Sequence, residues 1–336
     1  MTRQSRSATE DRVRKTKLIL IDGMTGSGKS VTAHFLARQL GKNGIKARWY
    51  HEEEPDHPLL YREPGECKGL PETERKEIYM RDYPAQWKAF AESLHGSGDV
   101  TIVECYLFQS SLIGLVRMEY PKERIKSFSR ALMEQVSGLD PTVIYFHQDD
   151  VPAALRLNWS RRGKEWRDWY VDRMARTSWA TGRGIGGEEA SYGIWESWTS
   201  ITRELAGEFG VPCLAIENSG QDWASYRARM LEFIGIPQVA ETMVRDADAR
   251  FASRYVGRGE VGEDVPFNVR FGKDGLRVDA FWPDLRLIPK TDDEFEMEGF
   301  PFSFRFNLGA DGAPVSLEAS EASFAFEKGW KARREA

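Results

Sequence analysis

Short apolar runs alternate with longer amphipathic stretches between Lys17 and about Ile236. The runs are continuous and rich in Val and Ile, which is typical of strands buried on both faces of a sheet. The stretches between them, such as residues 30–41, repeat apolar side chains at the spacing of a helix. This alternation predicts an α/β fold in which helices cover both faces of a parallel sheet. The predicted strands are residues 18–21, 46–50, 100–103, 143–146 and 211–216.

Beyond about Pro237 the pattern changes to a period of two. Apolar and polar residues alternate along residues 267–271, 276–280, 302–308 and 315–319. Asp-Gly turn sequences at residues 274–275 and 311–312 separate such runs. This half is therefore predicted to be an antiparallel β-meander, closed as a small barrel or curled as an open sheet.

A chain of 336 residues is long enough for two domains. We predict a disordered basic tail at residues 1–16, an α/β domain at 17–237, a linker helix at 238–250 and an all-β domain at 251–336. Hydrophobic residues make up 41% of the chain and aromatic residues 12%, which excludes a mostly disordered or low-complexity protein.

Charge and cysteine content narrow the class further. The formal net charge is -5, which argues against a nucleic-acid-binding protein with a broad basic surface. No apolar run approaches the roughly 18 residues that span a bilayer, and the basic start lacks the apolar core of a secretory signal. Three widely spaced cysteines suit a reducing compartment. We expect a cytoplasmic protein without a membrane segment.

One glycine-rich segment carries a specific motif. Residues 23–30 read Gly-Met-Thr-Gly-Ser-Gly-Lys-Ser and fit G-x-x-x-x-G-K-[ST], between a predicted strand and a predicted helix. In this context backbone N–H groups turn inward around phosphates at the positive end of the helix. Lys29 reaches the β- and γ-phosphates, and the Ser30 hydroxyl ligates Mg²⁺. The residues predicted to bind ATP with Mg²⁺ are Gly23, Thr25, Gly26, Ser27, Gly28, Lys29, Ser30 and Val31.

Other motifs follow this P-loop in a recognisable order. Glu54-Pro55 comes after the second strand, Glu104 ends the third, and Pro84-x-Gln86 lies on the helix between them. Together these motifs resemble the deoxynucleoside kinase and thymidylate kinase branch of the P-loop kinases, over residues 17–235. In that branch the Glu-Pro carboxylate faces the acceptor hydroxyl and the Gln binds a base. The resemblance implies that Glu54, Gln86 and Trp87 contact the substrate.

The chain departs from that branch after the third strand. The branch has an Arg following the carboxylate, whereas this chain has Cys105. The guanidinium contact is missing, which puts a nucleoside or nucleoside monophosphate acceptor in doubt while leaving phosphoryl transfer as the expected reaction.

The carboxylates at the strand ends can be given roles from the chemistry. Phosphoryl transfer needs an acceptor for the hydroxyl proton, and Glu54 is the first candidate, with Glu52 and Glu53 as rivals. A solvated acidic loop is the alternative for all three. Glu104 is predicted to hold Mg²⁺ directly or through water, unless it is a strand-end residue paired with a lysine.

A basic stretch with interspersed tryptophans follows the fourth strand. Residues 156–176 contain seven Lys or Arg against three acidic residues. In the related kinases a lid helix at this place supplies arginines that close over the phosphates, and Arg161 and Arg162, followed by Gly163, suit that role. The alternative is an amphipathic helix that packs its tryptophans and solvates its arginines.

The C-terminal half contains no catalytic group that the pattern reveals, and it resembles the small lipocalin-like β-domains of some bacterial enzymes. The leading hypothesis is an ATP-dependent kinase of a small-molecule hydroxyl acceptor, with nucleoside-like acceptors favoured. One alternative is a P-loop ATP-binding switch or ATPase whose β-domain binds a protein. Another is a nucleic-acid 5′-end kinase, against which the acidic charge argues. A homodimer is left open.

Overall fold

A five-stranded parallel sheet forms the centre of the first of two structural units. The computed structural model describes residues 16–240, 244–259, 263–280, 282–321, 323 and 326–335. Within these ranges the first unit comprises residues up to 52 and 56–238, and the second comprises 53–55 and the residues from 239 onward. The strands of the sheet are β1 (Leu18–Gly23), β2 (Ala47–Tyr50), β3 (Val100–Glu104), β4 (Thr142–His147) and β5 (Cys213–Glu217).

Strand β1 lies at the middle of the sheet because its side chains are apolar on both faces. The strand order is β2-β3-β1-β4-β5, and all neighbouring strands are parallel. Leu18 and Leu20 enter one buried cluster, while Ile19 and Ile21 enter another on the opposite face. The predicted parallel sheet with helices on both faces is therefore confirmed. The carboxyl ends of β1 and β3 lie side by side, since Ile21 is paired with Glu104.

Nine α-helices of the described residues cover this sheet. Helices α1 and α9 contribute Leu36 and Met230 to one face, and the other face is packed by residues such as Trp87 and Trp198. The helices are α1 (Lys29–Lys42), α2 (Glu72–Leu94), α3 (Gln109–Arg117), α4 (Lys122–Val136), α5 (Val151–Arg162), α6 (Lys164–Ala175), α7 (Ser178–Thr181), α8 (Gly187–Glu208) and α9 (Trp223–Ile234).

The second unit is a closed antiparallel barrel of eight strands. Each strand pairs with the next along the chain, and the last pairs with the first, so that no sheet edge is left. The predicted antiparallel all-β domain is thus confirmed, in its barrel form. The strands are β6 (Ser253–Arg258), β7 (Asp264–Gly272), β8 (Gly275–Asp279), β9 (Leu285–Pro289), β10 (Glu294–Met297), β11 (Ser303–Leu308), β12 (Pro314–Ala319) and β13 (Lys331–Arg334).

Aromatic side chains fill the barrel. Phe251, Phe295 and Phe306 are fully buried, with the rings of Phe251 and Phe306 stacked 4.4 Å apart. An eight-stranded barrel is just wide enough for side chains to fill its interior. The aromatic residues of the period-two pattern therefore form a packed core.

Two other predicted segments lie partly outside the described residues. The basic tail covers residues 1–16, of which 1–15 are outside. The linker helix covers residues 238–250, of which 241–243 are outside, and the helical turn described nearby is a 3₁₀ helix at Asp246–Phe251. None of the helices in the described part combines the length and apolar character needed to cross a bilayer.

Candidate active site

The P-loop connects β1 to α1 with its glycines in left-handed backbone conformations. Gly26 has φ +74° and Gly28 has φ +89°, which other residues rarely adopt. Gly28 is the N-cap of α1, no side chain caps the helix there, and its first turn carries no acidic residue. The positive end of the helix is thus set up to receive an anion.

Lys29 is buried at this helix end and held by two hydrogen bonds. Its Nζ donates to the carbonyl oxygen of Met24 at 2.8 Å and to Oε1 of Gln109 at 2.7 Å. Burial lowers the pKa of Lys29, but nearby negative groups outweigh burial and raise it above its ordinary value. The ammonium is therefore charged, and Gln109 is a contact that the sequence did not single out.

Asp22 joins the end of β1 to the start of α3. Its carboxylate accepts hydrogen bonds from the backbone N–H groups of Gly23 at 2.8 Å, Phe108 at 2.7 Å and Gln109 at 3.1 Å. Burial raises the pKa of Asp22 to about 6, although Lys29 and these three donors oppose the rise. Asp22 thus fixes the loop that carries Gln109 against the P-loop.

Glu104, at the end of β3, is a buried carboxyl group near Lys29. Its side chain is fully buried, neither oxygen accepts a hydrogen bond of good geometry from the described residues, and Nε2 of the His51 ring lies 3.8 Å from Oε1. Burial raises the pKa of Glu104, Glu52 raises it further, and Lys29 lowers it. The Ser30 hydroxyl lies close enough to moderate the rise without making a hydrogen bond of good geometry. The carboxyl groups of Asp22, Glu52 and Glu104 thus outnumber the single ammonium of Lys29 that they surround.

The donor set fits a hard divalent cation. Mg²⁺ prefers oxygen ligands and binds through one or two protein groups together with phosphates and water. The Glu104 carboxylate and the Ser30 hydroxyl are such groups, and the oxygens of Glu104, which accept no hydrogen bond of good geometry from the described residues, leave room for a cation as a ligand. Among the described residues no three His, Cys, Asp or Glu side chains form a group that could hold a metal ion by themselves.

The loop after β2 brings Glu52 to this cluster. The Glu52 carboxylate contributes to the raised pKa of both Glu104 and Lys29, and its backbone oxygen accepts a 3.3 Å hydrogen bond from the hydroxyl of Tyr106. Glu53 and Glu54 belong to the 53–55 segment that groups with the second unit. Their role as candidate bases stays a prediction.

Cys105 follows Glu104 in a left-handed conformation, with φ +68°. Its backbone N–H donates to the Ile21 oxygen at 3.0 Å, which continues the pairing of β3 with β1. Burial raises the pKa of the Cys105 thiol well above its ordinary value, and Glu52 raises it further. A neutral thiol therefore lies at the position where the kinase branch that the sequence motifs resemble has an arginine.

Gln86 and Trp87, predicted to contact substrate, lie on α2 in different surroundings. The Gln86 amide donates to the backbone oxygens of Pro58, at 2.7 Å, and Leu60, at 3.1 Å. Trp87 is fully buried in the core. Gln86 thus holds the loop at residues 58–60, and a substrate contact for either residue stays a prediction.

His57, on the same loop, is a feature that the sequence did not reveal. Its ring stacks on Tyr106, with centroids 3.9 Å apart, and its Nδ1 accepts a 3.0 Å hydrogen bond from the N–H of Leu59. Burial, together with His51 and Arg48, lowers the pKa of His57 to about 3. The ring is therefore neutral, with its proton on Nε2, and no local sequence pattern indicates this arrangement.

The two predicted lid arginines end helix α5. Arg161 donates to Oε1 of Gln221, in the loop after β5, at 3.0 Å. The guanidinium of Arg162 lies over the ring of Trp166, 4.3 Å from its centroid. Further along, Arg167 forms an ion pair with Glu188. The interleaved tryptophans thus serve as packing surfaces for the arginines, and closure over phosphates stays a prediction.

Three residues from other elements touch the P-loop directly. Asn218, after β5, donates from Nδ2 to the Ser27 oxygen at 2.7 Å, and the ring of Trp223 packs against Gly28. Asn158, on α5, packs against Gly26. No spacing in the sequence indicated Asn158.

Comparison with known proteins gives distant structural likenesses. No family model matches the chain, and no curated protein is similar to it in sequence. Thymidylate kinase from Candida albicans is 12% identical, with 65% of this chain and 92% of that chain covered and a TM-score of 0.35. A protein designated APE1195 is 16% identical, with 66% and 98% covered and a TM-score of 0.32.

The signal recognition particle receptor FtsY from Elizabethkingia anophelis, solved with GDP, is also similar. It is 12% identical, with 45% of this chain and 50% of that chain covered and a TM-score of 0.25. Because all three TM-scores are low, the function proposed below rests on the residues of this chain.

Proposed function

We propose that the first unit transfers the γ-phosphoryl group of ATP to a hydroxyl group of a small molecule. One observation carries this proposal: the buried Lys29 of the P-loop is electrostatically coupled to the buried carboxyl group of Glu104, which ends the strand next to β1. Nucleotide phosphates need the loop, and a metal-bound triphosphate needs the carboxylate.

The reaction has simple requirements of the protein. The acceptor oxygen bonds to the γ-phosphorus, the bond to the β–γ bridging oxygen breaks, and the hydroxyl proton leaves to a base. Lys29 neutralises charge on the β- and γ-phosphates, and Arg161 and Arg162 are the proposed lid contribution. Positioning and charge stabilisation account for most of the catalysis of such a transfer.

Ser30 and Glu104 are the residues proposed to hold Mg²⁺, which when bound supplies positive charge to the phosphates. The fit rests on the oxygen ligands of this chain, and above all on the two buried oxygens of Glu104, which accept no hydrogen bond of good geometry from the described residues.

The proton acceptor is proposed to be one of the three carboxylates after β2. Glu54 has the Glu-Pro spacing of the related kinases, and Glu53 precedes it. Glu52 is electrostatically coupled to Lys29 and Glu104, which favours it as the carboxylate nearest the transferred group.

The acceptor is proposed to be a nucleoside-like or nucleotide-like molecule, with other metabolites and antibiotics as further candidates. Support for this choice comes from the resemblance of Glu54-Pro55 and of Pro84-x-Gln86 to the acceptor-binding motifs of the nucleoside and nucleotide kinases. The absence of an arginine at Cys105 favours acceptors that do not need that contact.

The test is a screen of hydroxyl compounds for acceptor-stimulated release of ADP. We expect at least one compound to raise ADP release well above the background ATPase rate. Lys29→Ala should abolish the stimulated rate, because it removes the buried cation of the loop. Lys42→Ala, at the other end of α1, is the matched control and should keep the rate.

Two results would contradict the proposal. Near wild-type transfer by Lys29→Ala would overturn the P-loop assignment. Background ADP release that no compound stimulates would favour the alternative of an ATPase or switch with a protein-binding barrel.

A further inference from the structure

Helix α5 places the side chain of Asn158 in contact with the P-loop. A Cβ atom placed on Gly26 would lie 2.5 Å from Oδ1 and 2.7 Å from Cγ of Asn158. Only glycine at position 26 leaves room for this amide. The contact brings a polar group of the lid helix to the middle of the eight-residue P-loop.

The Asn158 amide is buried without a partner for its donor. The residue is 6% exposed, and Nδ2 has no hydrogen-bond partner among the described residues. A buried polar group left unpaired destabilises a fold, whereas the same group can be satisfied by a ligand. Asn is also a poor helix former, so intrinsic helix propensity does not explain its presence within α5.

The neighbourhood indicates what would satisfy the amide. The N–H groups of a P-loop surround phosphate oxygens, which accept hydrogen bonds and carry negative charge. Gly26 lies between Gly23 and Lys29 in this loop, and Oδ1 and Cγ are the amide atoms nearest to it. The unpartnered Nδ2 belongs to the same small planar amide, so the donor lies within one side-chain group of the loop that surrounds the phosphates. An amide donates to such oxygens without adding charge to the site.

We propose that Asn158 donates from Nδ2 to a β- or γ-phosphate oxygen of the bound nucleoside triphosphate, so that helix α5 recognises the terminal phosphates directly. This inference rests on the proposed nucleotide binding and extends it to a residue outside the P-loop. Asn158 then couples the position of the helix that carries Arg161 and Arg162 to the presence of those phosphates.

Two substitutions in the full chain test the contact. Asn158→Leu keeps the size of the side chain and removes the donor, and Asn158→Ala removes the donor and leaves space. Loss of a hydrogen bond to a charged group should weaken MgATP binding roughly 10- to 100-fold in both variants. AMP, which lacks the terminal phosphates, should bind within about twofold of wild type. The affinity for MgATP is measured by calorimetry, and the affinity for AMP is measured by displacement titration.

Stability gives an independent readout. Because the donor is unpartnered without ligand, Asn158→Leu should leave the Tm of the ligand-free protein unchanged or raise it. Ser129→Ala is the matched control, since Ser129 on α4 also has a buried hydroxyl without a partner. It should leave the affinity for MgATP unchanged.

Several outcomes would overturn the inference. MgATP affinity within twofold of wild type in both variants would mean that water satisfies the amide. A loss of MgATP affinity in Asn158→Leu alone would indicate a steric effect of the leucine. Equal losses of affinity for MgATP and AMP would indicate a general distortion of the site. Failure of the proposed function is distinguishable, because wild-type protein would then not bind MgATP and Lys29→Ala would change nothing.

Discussion

Glu52, Glu53 and Glu54 show how much one residue position matters in this site. All three have the same side chain, and all lie within one short loop. Glu52 belongs to the first unit and raises the pKa of both Lys29 and Glu104, whereas Glu53 and Glu54 group with the second unit. A base must be within hydrogen-bond reach of the proton that it accepts, so at most one member of the triplet fits that role.

Substituting the three carboxylates one at a time should identify the base. We expect Glu52→Gln to lower kcat by about 10²–10⁴-fold, the usual range for loss of a general base, with little change in MgATP affinity. Glu53→Gln and Glu54→Gln serve as matched controls. Steady-state kinetics with an active acceptor measures the effect.

A larger loss of kcat in Glu54→Gln than in Glu52→Gln would identify Glu54, which has the Glu-Pro spacing, as the general base. Full activity in all three variants would mean that positioning alone supports the transfer and that the loop is a solvated acidic surface.

Some individual residues could be predicted, and others could not. Lys29 and Ser30 were evident because a P-loop is contiguous in sequence. Gln109, Asn158 and His57 were not, because each comes from a separate element and reaches the site only through packing. Their environments depend on burial, which no local spacing encodes.

At the scale of one element, helix α5 depends on its first turn. Asp150 is the N-cap, and its carboxylate accepts a 2.8 Å hydrogen bond from the N–H of Ala153. Pro152 occupies the first turn, where its missing N–H costs nothing. The helix therefore begins at a well-defined point, which fixes the register of Asn158 and the two arginines.

Removing this cap should loosen α5 selectively. Asp150→Ala is expected to cost about 1 kcal/mol in the free energy of unfolding, because the N–H of Ala153 loses its acceptor. Hydrogen exchange measured by mass spectrometry should be faster in α5 of the variant than in α5 of the wild type, and it should be unchanged in α9. Asp150→Asn retains a capping oxygen and is the control.

Unchanged exchange in α5 of Asp150→Ala would argue against the cap. An equal change in Asp150→Asn would attribute the effect to charge rather than to the capping oxygen.

At the scale of the whole molecule, the two units have separate cores. One is built on the parallel sheet and the other inside the closed barrel. Apart from residues 53–55, the division falls between Gln238 and Val239. Every group assigned to phosphate or metal binding belongs to the first unit.

A chain that ends at Pro237 should therefore fold and bind MgATP with nearly wild-type affinity. Its buried clusters do not depend on barrel residues, so we expect a cooperative thermal transition by circular dichroism. Sedimentation must first show that the shortened chain is monodisperse, since truncation can expose apolar surface.

The activity of the shortened chain with an acceptor has two informative results. Retained turnover would mean that the barrel is not needed for the reaction with the acceptor. A folded, MgATP-binding chain that loses acceptor turnover would mean that the barrel helps to form the acceptor site.

The sequence alone determined the α/β architecture, the antiparallel second half and the position of the P-loop motif between β1 and α1. These follow from local properties: the period of the apolar residues, the turn glycines and a contiguous motif. Tertiary structure alone decided that the second half closes into a barrel, that Glu104 is fully buried near Lys29 and that Asn158 contacts Gly26. Closure, burial and contact between distant elements depend on how the whole chain packs, and no local pattern carries that information.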